Sequence, residues 1–237
     1  MKIFKNSSEY FFSKGIYFKL FFIFAFFLIL KIPTFNLAIK GDIETYAIIA
    51  NNFLNGDFSS LNENKPPLLY LSYMLIIFFS KNNLLLFNIL SSLPILIGAI
   101  LLYHCCENRN KILAPIIYIF SSTYLIHGGK NLQSEHIVII PIIISYLLLK
   151  NIEKENFIKF FLVGVFISIA IFIRQNISIL YIGILFYLLI NYKNFTIKNI
   201  IFYLFGSFIV TVIIIIFFFS INELNFLITT FLSPLYL

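Results

Sequence analysis

The sequence predicts an all-α integral membrane protein with about seven transmembrane helices and amphipathic surface helices in a long first extracytoplasmic loop. Three observations predict it. Only 11% of the 237 residues are charged and 60% are hydrophobic, at a mean hydropathy of +0.97, whereas a soluble domain carries about 25% charged residues to face water. Apolar runs near the ~20 residues needed to cross a bilayer recur along the whole chain. The basic residues collect in alternate loops between those runs, as the positive-inside rule requires. Soluble enzymes, disulfide-stapled secreted domains and disordered regulators are excluded together. The net charge of +7 is scattered between apolar runs, which suits orientation and contact with anionic membrane lipid rather than nucleic acid.

The elements follow in order. The first run, 16–33, comes after Lys2, Lys5, Lys14 and Lys19 and has no small-residue cleavage site behind it, so it reads as an uncleaved signal anchor with a cytoplasmic N-terminus. Further spans are expected at 84–104, 112–127, 132–149, 157–173, 177–192 and 199–221. The segment 67–80 is apolar but short, which suits an interfacial or re-entrant helix. If it does not span, Lys2, Lys5, Lys14, Lys19, Arg109, Lys111, Lys150, Lys154, Lys159, Lys193 and Lys198 lie inside, eleven of the 17 basic residues. If it spans, every later loop flips and only seven stay inside, so the positive-inside rule favours a non-spanning segment. Residues 34–83 then form one extracytoplasmic loop within a single polytopic domain.

That topology gathers Asp42, Glu44, Lys65, Lys130, Glu135 and Arg174 at one membrane face, and no Asp, Glu, Lys or Arg falls in the middle of a span. Ion-coupled transport normally buries ionisable groups near the bilayer centre. Their rim position points to surface chemistry over the alternative, a transporter or exporter of lipid-linked saccharides. The loop opens with Ile43, Tyr46, Ala47, Ala50, Phe53 and Leu54 at helical spacing against polar Asn51, Asn52 and Asn55, an amphipathic helix lying on the membrane. Asp42 stands at its N-cap, Glu44 in its first turn and Gly56 at its stop.

The arrangement Asp42…Tyr46-Ala47…Ala50…Gly56…Lys65-Pro66-Pro67-Leu68-Leu69-Tyr70 resembles the membrane glycosyltransferases of the glycosyltransferase C superfamily. It looks most like the dolichyl-phosphate-mannose mannosyltransferase-related and lipid A aminoarabinose transferase-like branch, in which an acidic motif after the first span leads through surface helices to a Lys-Pro segment. Many relatives carry adjacent Asp-Glu, whereas Ile43 intervenes here. The resemblance implies transfer of a sugar from a polyprenyl-phosphate donor to a lipid, glycan or protein acceptor, at the outer face of a bacterial inner membrane. Relatives typically continue past the seventh span with further helices, so part of the acceptor side is expected to be absent here, whether by truncation, a split gene or a minimal enzyme, and an inactive membrane fragment is a further alternative.

Such a transfer needs a carboxylate to take the acceptor proton, and Asp42 at a helix start stays ionised in the dipole field. Glu44 either positions the acceptor or only complements the dipole. The departing phosphate gains charge, which calls for cations. Lys65 beside two prolines is the first candidate, or else an interfacial lysine reaching to water. Arg174 is the second, able to chelate phosphate through its planar fork, or else a helix-end anchor. Tyr46, Tyr70, Lys130 and Glu135 are candidate sugar or acceptor contacts. His127, Glu135 and His136 lack a familiar ligand spacing, so no metal or other cofactor is expected, with divalent-metal dependence left open. The adjacent Cys105 and Cys106 read as small apolar residues at a helix end.

The topology is testable by labelling. With Cys105 and Cys106 replaced by Ser, an Asn52→Cys variant is expected to react with a membrane-impermeant maleimide in intact cells. Protection until lysis would overturn the orientation.

Overall fold

The computed structural model describes residues 3–38, 42–58, 66–81, 83–106, 110–125, 133–150, 156–190 and 196–232. Among these residues the chain is helical and contains no strand. Ten α-helices follow in order: α1 (Ile3–Lys31), α2 (Asp42–Leu54), α3 (Pro67–Ser80), α4 (Leu84–Cys105), α5 (Asn110–Phe120), α6 (Ser134–Lys150), α7 (Phe157–Ile173), α8 (Ser178–Ile190), α9 (Ile197–Ser220) and α10 (Leu224–Leu232). Three described helical segments are long and apolar enough to cross a membrane: Gly15–Thr34, Leu84–Cys105 and Ile197–Ser220. The other expected spans are shorter α-helices, some extended by irregular turns. Thus α5 carries Pro115 and widens into a π turn over Ser121–Leu125, and a 3₁₀ turn over Gln175–Ile177 precedes α8.

Two compact units emerge, and each has its own interior. The first holds α1, α4 and α5 around Ile23, Phe27, Ile95, Ala99, Tyr103 and Ile119. Pro94 interrupts the hydrogen-bond ladder of α4, and the buried Ser91 and Ser92 hydroxyls one turn earlier donate back to the carbonyls of Asn88 and Ile89. Buried Asn88 donates through Nδ2 to the carbonyls of Phe35 (2.7 Å) and Leu37 (3.0 Å). These bonds anchor the chain as it leaves α1, where backbone groups would otherwise lack partners.

The second unit holds α2, α3 and α6–α10. Its closest approach is between α7 and α9. A Cβ on Gly164 would stand 2.0 Å from the Tyr203 carbonyl oxygen, and one on Gly206 would stand 2.1 Å from that of Phe161. The backbones therefore touch, as small residues permit where lipid supplies no hydrophobic drive between helices. The Ser207 hydroxyl lies within 3.2 Å of both the Gly164 and Tyr203 carbonyls and links the two helices. Phe160, Val163, Ile167, Leu188, Ile200 and Tyr203 fill the space beside the crossing.

The prolines set α3: Pro66 is extended and Pro67 occupies the first turn, where its missing N–H costs nothing. Its 14 residues reach roughly 21 Å at 1.5 Å per residue, short of a ~30 Å hydrocarbon core. Lys81 then stops the helix in the left-handed region at φ 48°. Gly56 closes the turn after α2 at φ 79°, a conformation glycine adopts without steric cost.

One expectation changes here. The apolar face of α2 does not wait for lipid. Ile43, Tyr46, Ile49, Ala50 and Phe53 are buried by protein. Tyr46 packs edge-on against Tyr70 and Tyr73 of α3, and Phe53 meets Phe217 and Phe218 of α9. Leu54, expected on the same face, is exposed. Asp42 is the first helical residue rather than the cap before it. Periodicity finds an apolar stripe but does not say whether lipid or protein covers it.

The glycine contact yields a stability prediction. Gly164→Leu drives a side chain into the α9 backbone and is expected to destabilise by about 1–3 kcal/mol, the usual scale of overpacking. Gly183→Ala enters open space on α8 and is expected to be neutral or slightly stabilising, since Ala is the better helix former. Unfolding titrations in detergent check both, and equal behaviour of the two variants would contradict the close crossing.

Candidate functional site

The second unit contains an apolar cleft of about 620 Å³ formed by α3, α6, α7 and α9. Leu68, Leu75, Ile137, Phe166, Ile173 and Ile213 are among its walls. Ser72 contributes a hydroxyl, but it is turned back onto the Leu68 carbonyl at 2.7 Å, so the cleft presents almost nothing polar. The size falls within the ~300–1,000 Å³ of small-molecule sites, which normally add a few convergent polar groups.

A polar pair adjoins two of these walls along the chain. Ile173 lines the cleft and the next residue is Arg174; Ile137 lines it, two residues after Glu135. Glu135 lies in the first turn of α6, where the helix dipole favours a carboxylate. Arg174 caps α7 with extended backbone (φ −151°, ψ 112°), its N–H donating to the Ala170 carbonyl at 2.9 Å. The Arg174 Nη1 forms an ion pair with Glu135 Oε1 and also reaches Ser134 Oγ at 3.4 Å. The Ser134 hydroxyl in turn donates to Glu135 Oε2 at 3.1 Å. The paired side chains remain 35% and 42% exposed, a setting in which such pairs contribute on the order of 1 kcal/mol or less to stability. What the pair supplies is orientation: Glu135 and Ser134 fix a planar guanidinium at the end of α7, with donors beyond Nη1.

The other expected site residues are placed differently. Tyr46 and Tyr70 were expected near sugar or acceptor, but both rings are buried, at 7% and 1% exposure, inside the aromatic cluster that joins α2, α3 and α10. Their packing sets where α2 sits. Asp42 opens α2, and Glu44 is exposed one position beyond buried Ile43. Lys65 and Lys130 lie outside the described residues, as does His127. Buried His136 faces into the helices one residue past Glu135. Among the described residues, no three His, Cys, Asp or Glu side chains gather as metal ligands would.

Sequence reasoning missed two participants, Ser134 and Gln175. Ser134 had a readable signal, since a hydroxyl just before an acidic first turn is a common helix-start device. Gln175 had none beyond its place after Arg174. The cleft was also invisible, because its walls are ordinary apolar residues from four helices.

Comparison with curated proteins and with solved structures finds no match. A family model does match, over residues 64–218, a stretch that includes every wall of the cleft together with Ser134, Glu135 and Arg174. The chain is a multi-pass membrane protein that belongs to the dolichyl-phosphate-mannose-protein mannosyltransferase family, glycosyltransferases of the C type.

Proposed function

We propose that the protein transfers a sugar from a polyprenyl-phosphate donor to an acceptor at the extracytoplasmic face of a bacterial inner membrane, in a seven-span topology with the N-terminus inside. What supports this reading is an apolar cleft together with a guanidinium fixed by Glu135 on the residue that follows the cleft wall Ile173. A lipid phosphate has that same division, an apolar chain ending in an anion, and the Arg174 fork suits phosphate oxygens. A soluble nucleotide-linked donor would leave the apolar walls unused.

In the proposed reaction the acceptor hydroxyl oxygen forms a bond to the anomeric carbon while its proton passes to the Asp42 carboxylate. The bond from the anomeric carbon to the phosphate oxygen breaks, and its electron pair leaves with the polyprenyl phosphate. Lys65 and Arg174 stabilise that growing negative charge as preorganised cations. Glu135 keeps Arg174 aimed and offers a carboxylate oxygen to a sugar hydroxyl. Glu44 helps position the acceptor, and Lys130 adds a further cation. Tyr46 and Tyr70 act from below by seating α2, and so Asp42, on α3.

The direct test is reconstitution in liposomes with radiolabelled polyprenyl-phosphate sugars and a membrane extract as acceptor source. Label appearing in lipid, glycan or protein supports the reading; label that stays on the donor under all conditions sinks it.

Two variants examine the roles. Asp42→Asn is expected to lower transfer by roughly 10²–10⁴-fold, the scale of a lost general base, with unchanged membrane insertion because the change is isosteric and lies outside the apolar spans. Full activity would remove Asp42 from the mechanism. Lys65→Ala is expected to raise the donor KM roughly tenfold or more, the scale of a lost charge-assisted bond, and Lys65→Arg to retain part of the function. Donor titrations measure this, and an unchanged KM would return Lys65 to a surface anchor.

A further inference from the structure

Arg174 sits at a weak point of the backbone. It lies between α7 and the 3₁₀ turn Gln175–Ile177, in extended conformation, so no continuous helix fixes its direction. The next residue compensates. Gln175 Nε2 donates to the backbone carbonyl of Thr230 in α10 at 3.0 Å, across 55 residues of sequence. Because the acceptor is a carbonyl, the glutamine must present its amide as donor.

The same helix is fastened on both sides of that bond. Phe231 meets Phe172 of α7 edge-on at 5.2 Å, while Phe226 lies against Tyr70 of α3 and Phe218 of α9 at 6.0 and 5.6 Å. Phe226, Leu227 and Thr230 are buried. With nine residues, α10 is too short to persist alone in water. Its helicity therefore depends on these contacts, and the Gln175 bond is its only hydrogen-bonded tie to the Arg174 joint among the described residues.

We infer that Gln175 is a positioning residue, which straps α10 to the α7 joint and thereby holds Arg174 in place just after the cleft wall Ile173. This rests on the donor reading above. Gln175 touches no reacting atom; it acts through Arg174. The role goes beyond packing because the bond stands one residue from the cation assigned to the phosphate, and because α10 carries the constraint across to Tyr70, five residues after Lys65.

The test uses the full chain in nanodiscs with a short-chain polyprenyl phosphate as probe. Gln175→Glu keeps the shape but replaces the donor with a carboxylate that repels the Thr230 carbonyl. It is expected to speed amide hydrogen exchange over residues 224–232 and to weaken probe binding about two- to tenfold, the scale of one neutral hydrogen bond. Thr230→Val leaves the backbone acceptor in place and is expected to leave that exchange unchanged. In an Arg174→Gln background, Gln175→Glu should cost no further affinity, since residues acting as a unit are not additive. Unchanged exchange in Gln175→Glu would overturn the strap, and a loss that adds fully to that of Arg174→Gln would overturn positioning through Arg174. A wild-type protein that does not bind the probe refutes the donor reading and the positioning role with it, while the exchange result still decides the strap.

Discussion

The direct contact of the α7 and α9 backbones is the constraint on which the second unit depends. Lipid tails are as apolar as the side chains between helices, so hydrophobic burial alone does not choose one packing over another. Gly164 and Gly206 do choose, since each removes the Cβ that would hold the helices apart. Once α7 and α9 are locked, their other faces are set. The α7 end carries Arg174, the α9 end carries Phe217 and Phe218, and both helices give walls to the cleft. Ser207 adds a hydroxyl across the same contact, so the crossing is held by shape and by a polar tie.

Around that pair the unit separates two tasks. The cleft is almost wholly apolar, and the Glu135–Arg174 pair is not among its walls. Ionisable groups are costly at membrane depth and cheap at the rim, so a membrane enzyme acting on an amphiphile benefits from this division. The Glu135–Arg174 pair is too exposed to add much stability. Its effect is geometric, because the pairing fixes the direction of the Arg174 guanidinium at the end of α7.

Helices α2 and α3 are tied to α9 and α10 through aromatic packing. Tyr46, Tyr70, Tyr73, Phe218 and Phe226 form a continuous set of ring contacts between α2, α3, α9 and α10. The edge-on pairs of Tyr46 with Tyr70 and Tyr73 are directional, and the set gives short helices a defined place. The family match begins at residue 64 and so leaves α2 outside it. The position of Asp42 therefore follows from this packing and from the acidic motif, independently of the matched stretch.

The sequence by itself determined the membrane class, the helical secondary structure and the limits of several elements. Expected and observed bounds coincide for α7 at 157–173 and for α3 at 67–80, because apolar run length, proline and charge are local signals. The acidic and Lys-Pro motif also led to the family. Tertiary structure alone decided which faces meet. In helices that are apolar all round, hydropathy carries little information about rotation, so nothing in the pattern announced that Arg174 would pair with Glu135 or that Gln175 would reach Thr230. Tyr46 and Tyr70 illustrate the same limit: a tyrosine beside a motif reads equally as a ligand contact or as packing, and their ring contacts became visible only in the tertiary structure. The cleft belongs wholly to this second class, for it is the space left when glycines and aromatic rings fix four helices whose walls are individually unremarkable in sequence.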